Sequence, residues 1–259
     1  MTEPVVSLKN AAFSYGSTPL FSGLNLSFRG ADVVFVLGEN GSGKTTLLKM
    51  ICGILAPTSG TVSVAGREIS SFGRRELASL ISFAGDEMPA DFPLTVFDFV
   101  SLGRFPHRGF FGSLRTEDRS IVEKAMVMME ISPLRGRYLH ELSEGERQRV
   151  FLARAVAQDG TLMVLDEPAA HLDMRSTEKI FGILKNLASE GKTVIVSSHD
   201  VNLTARHSKS VLILKGGKLI ASGPKRDVIT GEKIREAFDV EVLVDVHPAD
   251  GTPRVTIIG

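Results

Sequence analysis

Gly38-Glu39-Asn40-Gly41-Ser42-Gly43-Lys44-Thr45-Thr46 is the stretch from which the rest of the chain is read. It follows an apolar, β-branched run, Val33 to Leu37, short enough for a buried strand, and precedes Leu47 to Ile51, which suits a helix. Within it, Gly38, Gly43, Lys44 and Thr45 satisfy the spacing G-x-x-x-x-G-K-[ST] of a phosphate-binding P-loop. Phosphates need several backbone N–H groups pointing inward, and residues without a Cβ let the chain curl tightly enough to supply them. Gly38, Asn40, Gly41, Ser42, Gly43, Lys44, Thr45 and Thr46 are therefore candidate nucleotide contacts. The helix N-terminus adds positive potential, Lys44 a mobile cation for the terminal phosphates, and the Thr45 hydroxyl a ligand for Mg²⁺. The plain alternative is a glycine-rich turn between strand and helix, and four filled positions in the right context argue against it.

With 259 residues and 43% hydrophobic content, the chain is one large α/β domain or two small ones. Lys plus Arg equals Asp plus Glu at 30 each, so no global positive field favours nucleic acid, and no nucleic-acid partner is expected. A single cysteine, Cys52, lies among Ile51, Ile54 and Leu55 and reads as a buried thiol in a reducing compartment. The six histidines are scattered without metal-ligand spacing, so structural zinc is not expected. Met1-Thr2-Glu3-Pro4 lacks the basic and apolar regions of a signal peptide, and no apolar run approaches the ~20 residues that span a bilayer. The expected location is cytoplasmic, with any membrane spanning left to other subunits.

Residues 5–29 alternate apolar and polar positions, as half-buried antiparallel strands do, with Tyr15 expected in the turn between them. Thr61 to Val64 reads as another strand, Arg74 to Leu80 as a short helix and Ile81 to Ala84 as a strand. Helical signals cover Val96–Leu102, Glu117–Glu130 and Ser143–Ala157, and Gly103 to Gly112 reads as a loop. After it come the strand Leu162–Asp166, a helix Met174–Glu190, the strand Thr193–Ser197, a helical Asp200–His207 and a hairpin of Val211–Leu214 with Lys218–Ala221. The fold class is α/β: a P-loop NTPase core with a mostly parallel sheet, N-terminal antiparallel β strands and an inserted helical subdomain. Residues 1–85 and 159–223 form the RecA-like core with its antiparallel part, 86–158 the helical subdomain, and 224–259 a C-terminal extension with two helical and two strand-like signals and no evident chemistry.

Leu142-Ser143-Glu144-Gly145-Glu146-Arg147-Gln148-Arg149 precedes the strand ending at Asp166, with Glu167-Pro168, Leu172-Asp173 and His199-Asp200 following. In this order and spacing they resemble the signature, Walker B, D-loop and H-loop of ABC-type ATPases, over nearly the whole chain. A strand-terminal carboxylate such as Asp166 suits Mg²⁺, and Glu167, next along, suits a general base or water-orienting group; both also serve as plain turn acids. The resemblance implies that His199 contacts the γ-phosphate, that Tyr15 stacks on adenine, and that Lys44, Glu167 and His199 are the catalytic residues. Ser143-x-x-Glu146 is by itself a capping box. The resemblance further implies that its helix N-terminus meets ATP held by a second copy, with Ser143, Gly145 and Asp173 as nucleotide contacts in a homodimer that sandwiches ATP. One copy alone would then be a poor ATPase.

Two positions depart from the family pattern. Asp86, beside Glu87, stands where a glutamine usually helps hold Mg²⁺, and is carried as a candidate metal ligand with Thr45 and Asp166. Glu144 replaces the usual first glycine of the signature, so its side chain must point away from the partner copy's phosphates.

Leu94 to Val100, followed by Gly103-Arg104-Phe105-Pro106 and Phe111-Gly112, resembles the ATPases of importers for iron-siderophore complexes, haem and cobalamin. That resemblance implies a peripheral protein on the inner face of the membrane, permease subunits docking near Arg104 to Phe111, and a periplasmic or surface binding protein delivering substrate. A soluble ABC ATPase for iron-sulfur assembly, a cassette for another cargo, and a small-molecule kinase are the alternatives; the last leaves Ser143 to Gln148 unexplained.

Overall fold

The computed structural model describes residues 4–85, 93–108 and 113–258. Asp86, Glu87 and the 109–112 part of the expected docking loop lie outside the described residues. The chain forms two compact units, Met1–Phe72 with Leu187–Gly259, and Gly73–Asn186.

In the first unit, Val6–Tyr15 lies between Thr18–Phe28 and Ser59–Val64, antiparallel to both. Alternation in the sequence becomes alternation in burial: Leu24, Leu26 and Phe28 face the interior while Asn25 and Ser27 are exposed. Tyr15 is the last residue of its strand, paired with Thr18 across a two-residue turn, and is not in the turn itself. Gly16, at φ 58°, takes up the reversal that a tyrosine there would resist.

Val33–Leu37 runs parallel to Thr193–Ser198 on one side and to Ser210–Lys215 on the other. All five of its residues are buried, as a central parallel strand requires, and this is why it reads as an unbroken apolar run. Lys218–Pro224 folds back antiparallel on Ser210–Lys215, giving the expected hairpin. The C-terminal residues form two short helices, Lys225–Val228 and Gly231–Phe238, then a hairpin of Val242–Val246 and Pro253–Ile257. Val228, Ile229, Ile234, Ala237 and Val242 pack in one cluster with Leu37, Ala205, Val211 and Ile213. The extension thus completes the core behind the strand that carries the P-loop.

In the second unit, Ile81–Ala84 pairs in parallel with Leu162–Leu165, Ala84 opposite Leu165. Val96–Ser101, Thr116–Met128 and Glu144–Gln158 are helices joined by apolar side chains, with the Phe99 and Phe151 rings edge-on at 4.9 Å. Together the elements are those of a mostly parallel α/β cassette with N-terminal antiparallel strands.

The stretch expected as a loop from Gly103 departs from that reading. Leu102–His107 is a tight 3₁₀ helix, and Arg104 is only 6% exposed. Its Nε donates to Asp118 Oδ1 at 2.9 Å and its Nη1 to the Ala157 carbonyl at 2.8 Å. Gly103 is needed beneath it, because a Cβ there would lie 2.5 Å from the Arg154 carbonyl oxygen. Arg104 is therefore an internal clasp and not an exposed contact residue. Burial alone would raise the Asp118 carboxyl, but the hydrogen bond and charge of Arg104 hold it below its ordinary value.

Candidate nucleotide-binding site

The first unit carries the P-loop. Gly38 leaves the buried strand with its N–H donating to the Ser198 carbonyl at 3.2 Å, and a Cβ on it would sit 2.4 Å from the Leu214 oxygen. Gly41 and Gly43 take φ of 81° and 104°, the left-handed region that glycine enters without strain. Gly43 immediately precedes the helix Lys44–Ile51, whose first N–H groups have no helical partner. Lys44 is 5% exposed, and its ammonium donates to the carbonyls of Gly38 at 2.9 Å and Glu39 at 3.0 Å. Ser42 Oγ is buried with no hydrogen-bond partner among the described residues. A loop that needs glycine at Gly38 and Gly43, an orphaned hydroxyl and a cation folded onto main-chain oxygens suit a polyphosphate.

Tyr15 lies beside this helix. Its hydroxyl is 3.0 Å from Thr46 Oγ1, its ring meets Phe13 edge-on at 4.9 Å, and it remains 55% exposed. A fixed, exposed aromatic face is what stacking requires. His199 is the exposed residue after the strand Thr193–Ser198. The corner is fastened on both sides: Asp200 N–H donates to Ser198 Oγ at 3.0 Å, and the Asp200 carboxylate caps the next helix by accepting from Leu203 N–H at 2.9 Å.

The second unit carries the strand-end acids Asp166 and Glu167. Asp166 continues the register of its strand, its N–H donating to the Ala84 carbonyl at 2.8 Å. Glu167 has φ 45°, a conformation a non-glycine residue adopts only when its surroundings hold it. Those surroundings include Ala170 N–H at 3.0 Å and the Gln148 amide at 3.3 Å, both donating to the Glu167 carbonyl. Nothing in the signature motif marks Gln148 as a support for Glu167; only the folded helix places it there. Thr45 in the first unit and Asp166 in the second each carry a hard oxygen donor of the kind Mg²⁺ takes.

The capping box is formed. Ser143 is the N-cap of Glu144–Gln158, its Oγ accepting from Glu146 N–H at 3.4 Å, while Glu146 Oε2 accepts from Ser143 N–H and from Ser143 Oγ, each at 2.9 Å. These bonds hold the Glu146 carboxyl below its ordinary value. Glu144 turns to Arg147, Oε2 to Nη2 at 2.7 Å. A Cβ on Gly145 would meet the His171 oxygen at 3.2 Å, so the loop after Glu167 closes over the signature turn. Asp173 caps the helix Met174–Ser189, accepting from Ser176 N–H at 2.7 Å and Ser176 Oγ at 3.2 Å. Ser176 N–H is the chief reason its carboxyl lies below the ordinary value.

Residues 21–170 match the ABC transporter family. The chain belongs to that family. It is 33% identical over 251 residues to the hemin import ATP-binding protein of Thermobifida fusca, covering 97% of this chain and 88% of that protein. It is 36% identical over 240 residues to the cobalamin import ATP-binding protein of Halobacterium salinarum, covering 92% of this chain; the chain spans 60% of that relative's length. An inward-facing metal-chelate-type ABC transporter of solved structure superimposes with a TM-score of 0.85 at 26% identity, covering 100% of this chain and 98% of that one. The dimeric ABC transporter cassette MJ0796 superimposes with a TM-score of 0.76 at 30% identity, covering 85% of this chain and 98% of that one.

Proposed function

We propose that the chain is the ATP-hydrolysing subunit of an ABC importer, powering uptake of an iron-siderophore, haem or cobalamin-type substrate through a separate permease. The observation that carries the reading is a glycine-built P-loop in the same chain as a second, capped helix N-terminus at Ser143. The import roles in its relatives' names support the cargo class.

In this reading the P-loop backbone and Lys44 bind the phosphates of ATP and Tyr15 stacks on adenine. Thr45 and Asp166 would hold Mg²⁺, which when bound would supply neutralisation of charge at the terminal phosphates. Asp86 is kept as a further ligand on the resemblance alone. Glu167 orients water and takes its proton as the oxygen attacks the γ-phosphorus, the bond to the β-phosphate oxygen breaks, and ADP and phosphate leave. His199 donates to the γ-phosphate oxygens as their charge grows. Ser143, Gly145 and Asp173 act on ATP bound by a second copy, so ATP joins a homodimer and hydrolysis releases it.

Permease contact falls to Phe105, 70% exposed at the end of the turn that Arg104 clasps from within. Among the described residues no helix is long and apolar enough to cross a membrane. The chain is therefore proposed to work peripherally, on the inner face, beneath permease subunits that receive substrate from a periplasmic or surface binding protein.

Glu167→Gln tests the reading. Its turnover should fall ~100-fold or more while ATP drives the chain into a stable dimer, measured by light scattering. Normal hydrolysis without an ATP-dependent dimer overturns it. Purification with a permease whose substrate stimulates ATP turnover tests the cargo class.

A further inference from the structure

The signature turn carries two carboxylates where the proposed function brings in a triphosphate. A single unscreened acid at that place would oppose closure, because like charges at short range in a site that excludes water repel strongly. The fold sets an arginine against each acid, Arg147 against Glu144 and Arg137, which it shares with Glu141, against Glu146. Glu146 spends one oxygen on the backbone and hydroxyl of Ser143, and its other oxygen faces Arg137 Nη1 at 3.6 Å. Glu144 has no place in the cap and turns instead to Arg147, three residues along, at 2.7 Å.

The Glu144 and Arg147 side chains are unequally exposed, at 56% and 19%. The arginine is the more buried partner of the pair. An exposed pair at this spacing contributes little to helix stability, so its value has to be sought elsewhere.

We propose that Arg147 is a positioning residue for ATP-driven closure. It neutralises Glu144 and holds that carboxylate off the Ser143–Gly145 turn, so that an acidic signature still accepts the γ-phosphate of a second copy. The proposal rests on the sandwich-dimer reading above. It also accounts for the departure at Glu144: an acid is tolerated at a position usually held by glycine because the same helix supplies its counter-charge one turn later.

The experiment titrates ATP against dimer formation in the Glu167→Gln chain, and against steady-state turnover in the chain with Glu167 intact. Arg147→Gln should raise the ATP concentration for half-maximal dimerisation, and the KM, about tenfold, with kcat at saturation changed far less. Arg147→Lys, which keeps the charge, should recover most of the loss. Glu144→Gly combined with Arg147→Gln should return both values to those of Glu144→Gly alone.

Loss in Arg147→Gln that persists undiminished in the Glu144→Gly background overturns the proposal, since Arg147 would then act by another route. Unchanged ATP dependence in Arg147→Gln overturns it as well. In that case the Glu167→Gln chain still dimerises with ATP and the sandwich reading stands. Failure of the Glu167→Gln chain to dimerise at any ATP concentration overturns both.

Discussion

At Gly38–Thr46 the turn before a helix holds two glycines in left-handed conformations and a buried lysine; at Ser143–Glu146 it is made of a serine cap and two acids, each facing an arginine. The first is electropositive through its own backbone and Lys44. The second is close to neutral and offers only helix N–H groups and a hydroxyl already engaged with Glu146. In the proposed function a turn of the first kind binds ATP by itself. A turn of the second kind adds to a site whose charge has been met elsewhere, which is why the proposed function places it against a nucleotide that another copy already holds.

Lys44→Ala should produce the largest effect that bears on this contrast. Nucleotide binding by a single copy, measured with a fluorescent ATP analogue, should be lost and turnover should fall ~100-fold or more. Retained binding would mean that the first turn does not act alone. Alanine for glycine should separate the two turns next. Gly43→Ala forces a Cβ into φ 104° at 2.9 Å from the buried Phe21 ring and should lower stability by about 1–3 kcal/mol in thermal unfolding. Gly145→Ala meets nothing closer than 3.2 Å at an ordinary helical position, and should stay within about 1 kcal/mol of the parent in the same measurement while impairing ATP-driven dimerisation.

Ser143→Ala should cost about 1 kcal/mol of stability through the lost cap, in addition to weaker dimerisation. Loss of dimerisation without any loss of stability would show that the serine serves phosphate alone. The smallest change is expected from Tyr15→Ala, a roughly threefold rise in KM for ATP, matching a stacking contribution of about 0.5–1.5 kcal/mol.

Local features were legible in the sequence and remote partnerships were not. Val33–Leu37 announces a buried strand because both its faces are covered, and Ser143-x-x-Glu146 announces its own cap because the bonds run between neighbours. The helices and strands of 224–259 were legible as elements, yet their packing onto Leu37 and Ile213 was not, since that depends on the fold of the whole first unit. Arg104 was misread for the same reason. In sequence it is a cation among aromatics and glycines, and its partners, Asp118 and the Ala157 carbonyl, come from two later helices. Tyr15 was displaced by one position only, because Gly16 and the residue after it suffice to turn the chain. Glu144 was recognised as a problem, and its answer lay within the same motif: an i, i+3 spacing with Arg147 that the resemblance to the family drew attention away from.

The hairpin at the C-terminal end has one further consequence. Asn202 donates its side-chain amide to the Val255 carbonyl at 3.0 Å and accepts from the Val255 N–H at 2.8 Å, so a single side chain stands in for a neighbouring strand. Val246, Ile257 and Ile258 leave much apolar surface exposed on this ribbon, and an open edge beside such surface is where one molecule recruits the strand of another. At Val255 Asn202 thus occupies both of the main-chain groups that an added strand would have to pair with.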